Sequence, residues 1–258
     1  MDITSREIIR LDVTESTNSV ALELGEQGAV AGTVVVAKAQ TGGRGRLKRN
    51  WLSPPGMGLY FSLILRPGLA PEHLPKVTLA AGLALCKAVE AEYSLAPKIK
   101  WPNDLLLAGR KFGGILTETG SLQDIATGQK PFVVIGAGIN LFTPEGGFQN
   151  DLKECATSIS VHTDRNISGE SLLLASTVAI EQEVQRLEKG EFQEILTEWV
   201  ERDGVKDKVL AWVTPQGKEV TGVSLGPDAD GVLRIRDGAG NIHSVISGDV
   251  NLVGKIPE

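Results

Sequence analysis

Apolar and polar positions alternate in two distinct textures along this chain. Up to Gly204 the apolar positions fall into long blocks. Residues 8–13 predict a short strand, and Ser16-Thr17-Asn18 has the composition of a helix N-cap cluster, opening an amphipathic stretch that Gly25 and Gly28 end. Residues 33–37 and 59–65 are continuous enough in apolar character to predict buried strands, the second closed by the Arg66-Pro67-Gly68 turn. The alanine-rich run 74–93 predicts a buried helix, with Pro75 tolerated in its first turn. Residues 98–101 and 105–107 predict strands around a Pro102-Asn103-Asp104 turn. Two more strands follow at 114–119 and 132–139, and the polar stretch 121–130 between them reads as an exposed hairpin loop. Residues 171–187 and 192–200 predict helices. In the second, Phe192, Ile195, Leu196, Trp199 and Val200 keep the spacing of one apolar face, and Gly204 is placed to terminate it.

Beyond Gly204 the period shortens. Residues 209–213, 219–224, 232–236 and 241–246 are brief alternating segments separated by Gly, Pro and Asp turns, the pattern of a small antiparallel barrel or sandwich. The chain therefore divides into an α/β core over 1–204 and a small β domain over 205–258. With 41% hydrophobic and 22% charged residues among 258, disordered and low-complexity classes fall away. No apolar run approaches the roughly 20 residues of a bilayer span, and residues 1–10 mix charged and apolar positions unlike a secretory signal. Cys86 and Cys155 are distant and lack metal-ligand spacing, so reduced thiols in a soluble, cytoplasmic protein are expected.

Charge adds a sharper clue. The formal net charge of −6 argues against a general nucleic-acid binder, yet residues 27–71 contain no acidic side chain and six basic ones: Lys38, Arg44, Arg46, Lys48, Arg49 and Arg66. An anion is expected to visit this stretch. Several tempting motifs fail on context. The string from Gly222 to Gly226 fits a nucleophile elbow around Ser224, but a turn rather than a helix follows it. Gly136-Ala137-Gly138 opens a dinucleotide fingerprint, but Leu141 stands where a third glycine is needed. His73, His162 and His243 are scattered without ligand-spaced partners, against a zinc site.

The chemistry concentrates in three segments. Gln40 to Trp51 combines three glycines, which predict a permissive and mobile loop, with arginines whose planar forks suit carboxylate and phosphate, and with Trp51, a face for a purine base. A flexible basic surface loop has a similar composition, so the neighbours decide. Lys111, followed by Gly113 and Gly114, could reach an anion while backbone packs close to the same ligand. Gly136-Ala137-Gly138-Ile139-Asn140 leaves room for a flat group at a strand end, where Asn140 could bond a base edge.

In this order and spacing, Ser16-Thr17-Asn18, Gln40 with Gly43-Arg44-Gly45-Arg46, Lys100-Trp101-Pro102-Asn103-Asp104, Lys111 with Gly114-Ile115-Leu116, and the Gly136–Asn140 run resemble the bacterial biotin protein ligases. The resemblance implies a mixed-sheet α/β (α+β) catalytic core related to class II aminoacyl-tRNA synthetases, followed by an SH3-like β-barrel. Members that also act as repressors carry a DNA-binding domain of some 60 or more residues before the Ser-Thr-Asn motif. Only fifteen residues precede Ser16 here, so the form lacking that domain is expected.

By the same resemblance, biotin is activated with ATP and Mg²⁺ to biotinyl-5′-AMP and passed to a lysine of the biotin carboxyl carrier protein of acetyl-CoA carboxylase, with no nucleic acid or membrane partner and with room for a homodimer. Ser16, Thr17, Asn18, Gln40, Arg44, Gly45, Arg46, Lys111 and Gly114 would hold biotin. Arg44, Arg46, Arg49, Trp51, Asn103, Asp104, Lys111 and Asn140 would hold ATP and the adenylate, with Lys111 and Arg46 catalytic. Ser16 is also an ordinary helix cap and Trp101 an ordinary core aromatic; the functional role is favoured for the first and packing for the second. A lipoate ligase-like acyl-adenylate transferase and a non-catalytic module binding biotin or a carrier protein are the alternatives.

Overall fold

The computed structural model describes residues 6–120, 131–144, 147–148, 152–213, 219–246 and 250–252. Seven strands form the larger sheet: β1 (Ile8–Thr14), β2 (Val34–Gln40), β3 (Gly58–Leu65), β4 (Lys98–Lys100), β5 (Asp104–Leu107), β6 (Arg110–Thr119) and β7 (Val133–Asn140), in the order β1-β2-β3-β7-β6-β5-β4. The β1–β2 pair is parallel and the other neighbours antiparallel, which makes the sheet mixed. Helix α1 (Thr17–Glu26) covers one face. Helices α2 (Leu74–Tyr93), α4 (Gly169–Glu188) and α5 (Phe192–Glu201) pack on the other side, and a short α3 (Leu152–Cys155) lies beside β6.

Two-sided cover explains the apolar blocks. On β2, β3 and β7, Val34, Leu63, Val133 and Ile135 turn toward α2 and α4, while Val35, Ile64 and Val134 turn toward Ala21 of α1. Alanines let α2 bury most of its circumference; Ala80, Ala81 and Ala84 are fully enclosed. The six cations of the acid-free stretch part company here. Arg66 donates to the carbonyls of Gly25 and Ala29 at the C-terminal end of α1, where a cation suits the helix dipole. Lys38 pairs with Asp12 on the surface at 2.7 Å.

The remaining strands, β8 (Val209–Val213), β9 (Glu219–Pro227), β10 (Leu233–Asp237), β11 (Ile242–Val245) and β12 (Val250–Leu252), make a five-stranded antiparallel sheet in the order β11-β10-β9-β8-β12. It leans on the core through Trp101, buried as expected, whose indole N–H donates to the Gly231 carbonyl at 3.0 Å. Ser224 lies buried within β9, consistent with a structural residue. Two expectations need amending, and a third is not tested. The short β12 has too few apolar positions to stand out in the sequence. Gly204 does not cap α5, which ends at Glu201; its N–H instead reaches the Ile99 carbonyl, tying the chain to β4. The hairpin loop expected at 121–130 lies outside the described residues.

Candidate active site

Register decides what the α1 face of the sheet presents. Neighbouring residues across strands share a face, so Val35, Ser62, Gly136 and Leu116 form one row, and Ala37, Tyr60, Gly138, Gly114 and Asp104 the next. Glycines at three of these points leave a trough just beyond the N-terminus of α1. It encloses a cavity of about 480 Å³.

Buried polar groups floor the α1 end. Ser16, Thr17 and Asn18 are each less than 5% exposed. Ser16 holds the N-cap position with extended backbone, but its side chain makes no capping bond. The helix is capped from outside instead: Gln40 Oε1 accepts the Thr17 N–H at 2.8 Å, and Gln40 Nε2 donates to the Ser53 hydroxyl. Ser62 Oγ lies 2.8 Å from Thr17 Oγ1 and 2.6 Å from Asn18 Oδ1. Asn18 Nδ2 donates to the Leu116 carbonyl and to Glu118 Oε2. The glycine at 136 is required: a Cβ there would sit 1.9 Å from Asn18 Oδ1.

Cations rim the other end. Residues 43–51 fold as a tight hairpin, with the Trp51 N–H donating to Gly43 O and the Gly45 N–H to Arg49 O. The left-handed backbone conformation falls on Leu47 (φ 55°) and Lys48 (φ 60°), not on the glycines. Arg44 pairs with Glu118 at 2.7 Å, Arg46 Nη1 donates to Asn103 Oδ1 at 3.2 Å, and Gly45, Arg49 and Trp51 complete this wall. Asn103 is itself fixed by donating Nδ2 to the Ile115 carbonyl.

Lys111 owes its direction to a β-bulge. Between Leu105/Gly113 and Leu106/Lys111 the ladder skips buried Phe112, so Lys111 shares the trough face with Gly114 rather than Gly113. Its ammonium sits 2.6 Å from Asp104 and 5.4 Å from the centre of the Trp51 ring; Lys100 reaches the same carboxylate at 3.5 Å.

Thirteen of the fourteen sequence-predicted site residues line this cavity. Asn140 does not; its Nδ2 donates to the Thr157 carbonyl at 3.0 Å. The space that Gly138 leaves is taken by the protein itself, since a Cβ there would lie 2.4 Å from the Trp51 indole nitrogen. That nitrogen is buried without a hydrogen-bond partner. Sequence reasoning missed Ser62, although it is the one small polar side chain amid the buried, mostly apolar residues of β3 and could have been noticed as such. It also missed Val250 and Leu252 of the small sheet and Cys155, all on the cavity wall. Asp104 is the one carboxylate among the lining residues, and no group of three or more His, Cys, Asp or Glu able to hold a metal occurs among the described residues. Nor is any helix of the described residues long and apolar enough to cross a membrane.

Comparison with known proteins points the same way. Residues 11–140 match the Biotin/lipoate A/B protein ligase family. The chain is 34% identical over 252 residues to the Bifunctional ligase/repressor BirA of Bacillus subtilis, covering 97% of this chain and 75% of that one. It is 31% identical over 231 residues to the Biotin--[acetyl-CoA-carboxylase] ligase of Paracoccus denitrificans, covering 88% and 93%. Among solved structures, the biotin protein ligase from Aquifex aeolicus in complex with biotin and ATP superposes with a TM-score of 0.80 at 28% identity, covering 95% of this chain and 98% of that one.

Proposed function

The chain belongs to the Biotin/lipoate A/B protein ligase family, and from that premise we propose that it is a biotin–[acetyl-CoA-carboxylase] ligase. The observation that carries this reading is the trough itself, in which a buried, neutral, polar floor meets a cationic rim within one cavity. A fused ureido ring with an alkyl carboxylate fits the first; a polyphosphate fits the second.

The reaction has two steps. A biotin carboxylate oxygen attacks the α-phosphorus of ATP, and pyrophosphate leaves. The amine of an acceptor lysine then attacks the acyl carbon of biotinyl-5′-AMP, AMP leaves, and the nitrogen gives up a proton to form the amide. This chain's contribution is positioning and charge neutralisation. Ser16, Thr17, Asn18 and Gln40 hold the ureido ring. Arg44, Gly45 and Arg46 close over carboxylate and phosphate, with Arg49 assisting. Lys111, beside Gly114, meets the acyl-phosphate oxygens in both steps. Trp51 and Asn140 serve the adenine; for Asn140 this requires approach by the ligand or the side chain, since it stands outside the cavity wall.

A single carboxylate does not make a metal cage. Asn103 and Asp104 fit a Mg²⁺ that arrives on the triphosphate and keeps mostly phosphate and water ligands, where it would screen the phosphate charge. The acceptor is the carrier protein of acetyl-CoA carboxylase, the setting is the cytoplasm, and a homodimer without nucleic acid completes the proposal. Biotin-dependent release of pyrophosphate from ATP tests it. Release with lipoate in place of biotin would favour the lipoate reading, and binding without release would favour a non-catalytic module.

A further inference from the structure

The bulge that aims Lys111 leaves its strand edge in need of a partner. Strand β6 pairs with β7 from Gly113 onward, opposite Ile139, but β7 ends one residue later at Asn140. The vacated edge is filled by a segment more than forty residues downstream: Ala156 bridges Lys111 in parallel, and the Thr157 N–H donates to the Lys111 carbonyl at 2.9 Å. Thr157 is 1% exposed and every polar group it has is engaged. Its carbonyl accepts from Asn140 Nδ2 at 3.0 Å, and its hydroxyl lies 2.9 Å from His162 Nε2.

The rest of the strap is fastened to the end of β7. The Ser160 N–H donates to the Leu141 carbonyl at 3.0 Å, and the Thr143 and Ser158 hydroxyls pair at 2.7 Å. Burial and neighbouring Arg110 hold the His162 imidazole below its ordinary range. A neutral ring offers one acceptor nitrogen, which suits the Thr157 hydroxyl.

We propose that Thr157 and His162 are positioning residues for Lys111, their hydrogen bond locking the strap that fixes the Lys111 backbone at the bulge. The proposal rests on the reading of Lys111 as the group that meets the reacting oxygens. A rotation of the Lys111 peptide by a few tens of degrees would swing a long side chain off the trough, and small misplacements of this kind cost rate rather than affinity.

The test compares Thr157→Val, which keeps volume and loses the hydroxyl, with Thr157→Ser, which loses volume and keeps it. In the full chain, Thr157→Val is expected to lower kcat for biotin-dependent pyrophosphate release about 10-fold, with KM for biotin and ATP within about two-fold of the parent, while Thr157→Ser stays within about two-fold in kcat. His162→Phe, outside the cavity, removes the same bond from the other side. It should match Thr157→Val and add nothing to it in the double variant. It also carries the test alone should Thr157→Val not fold. Parent kcat in Thr157→Val and His162→Phe, beside an inactive Lys111→Ala, overturns the strap. A fully active Lys111→Ala overturns the assignment of Lys111 beneath it. A loss in Thr157→Ser equal to that in Thr157→Val reduces Thr157 to packing.

Discussion

The two ends of the trough solve opposite problems. At the α1 end, Thr17, Asn18 and Ser62 are buried, Gln40 is half-buried, and the four are bonded to one another. At the other, Arg44, Arg46 and Lys111 are more exposed, and each rests on an acceptor of the protein's own: Glu118, Asn103 and Asp104. Burying a polar group without a partner costs about 1–3 kcal/mol, so the floor must be assembled before a ligand comes. An ion pair at the exposure of Arg44, by contrast, is worth at most about 1 kcal/mol, and a phosphate offering two charge-assisted bonds can displace it. The floor is preorganised and the rim is exchangeable. Selectivity for a neutral ring belongs to the first, and rate with anionic partners to the second.

The most severe break in this comparison falls on the rim. Lys111→Ala is expected to cut adenylate formation by about 100-fold or more while leaving biotin binding intact, because the ammonium that the bulge aims into the trough is lost and Lys100 is held on the other oxygen of Asp104. Pyrophosphate release read beside a biotin titration separates the two. Gly136→Ala attacks the floor. Its methyl would displace Asn18, and with it the bonds to Ser62, Leu116 and Glu118. Biotin affinity should fall by about 10- to 100-fold, the scale of one or two lost buried hydrogen bonds. Calorimetry showing parent affinity would mean the floor is not where biotin sits. Arg46→Gly should be milder: the hairpin keeps its backbone bonds, but about 10-fold faster escape of biotinyl-AMP is expected, seen as labelling of stray amines. An unchanged off-rate would remove Arg46 from retention of the adenylate.

The strands and helices were legible because two-sided burial writes itself as apolar blocks. The α2 bounds, for instance, coincide with the alanine-rich run. The site was legible where its chemistry is carried by unusual residues close in sequence, as from Gln40 to Trp51. It was illegible where register decides. Nothing local to Ser62 says that it meets Thr17 and Asn18, and nothing local to Thr157 says that it completes the strand edge of Lys111. The glycines were only partly legible. In the loop the left-handed conformation falls on Leu47 and Lys48 rather than on Gly43 and Gly45. On β7, Gly136 and Gly138 line the cavity, with Asn18 and Trp51 packed close over them. A basic stretch likewise mixes purposes, since only distance in the fold separates Arg66, a helix cap, from Arg44.

Glu118 offers the finest probe of the difference, because it belongs to both ends. One of its carboxylate oxygens, Oε2, accepts from Asn18 Nδ2 at 2.8 Å and from Arg44 Nη2 at 2.7 Å. Glu118→Gln keeps an oxygen for Asn18 and removes the charge that holds Arg44. If the rim merely stores its cations, Arg44 is then released toward the cavity, and ATP affinity should rise about two- to five-fold, consistent with less than about 1 kcal/mol for a half-exposed pair. Biotin affinity should not move, and the ATP gain should shrink in salt, since freed guanidinium charge is screened. A fall in ATP affinity would instead make Glu118 the residue that aims Arg44. The rim would then be preorganised as well, and the contrast between the two ends would reduce to one of burial alone.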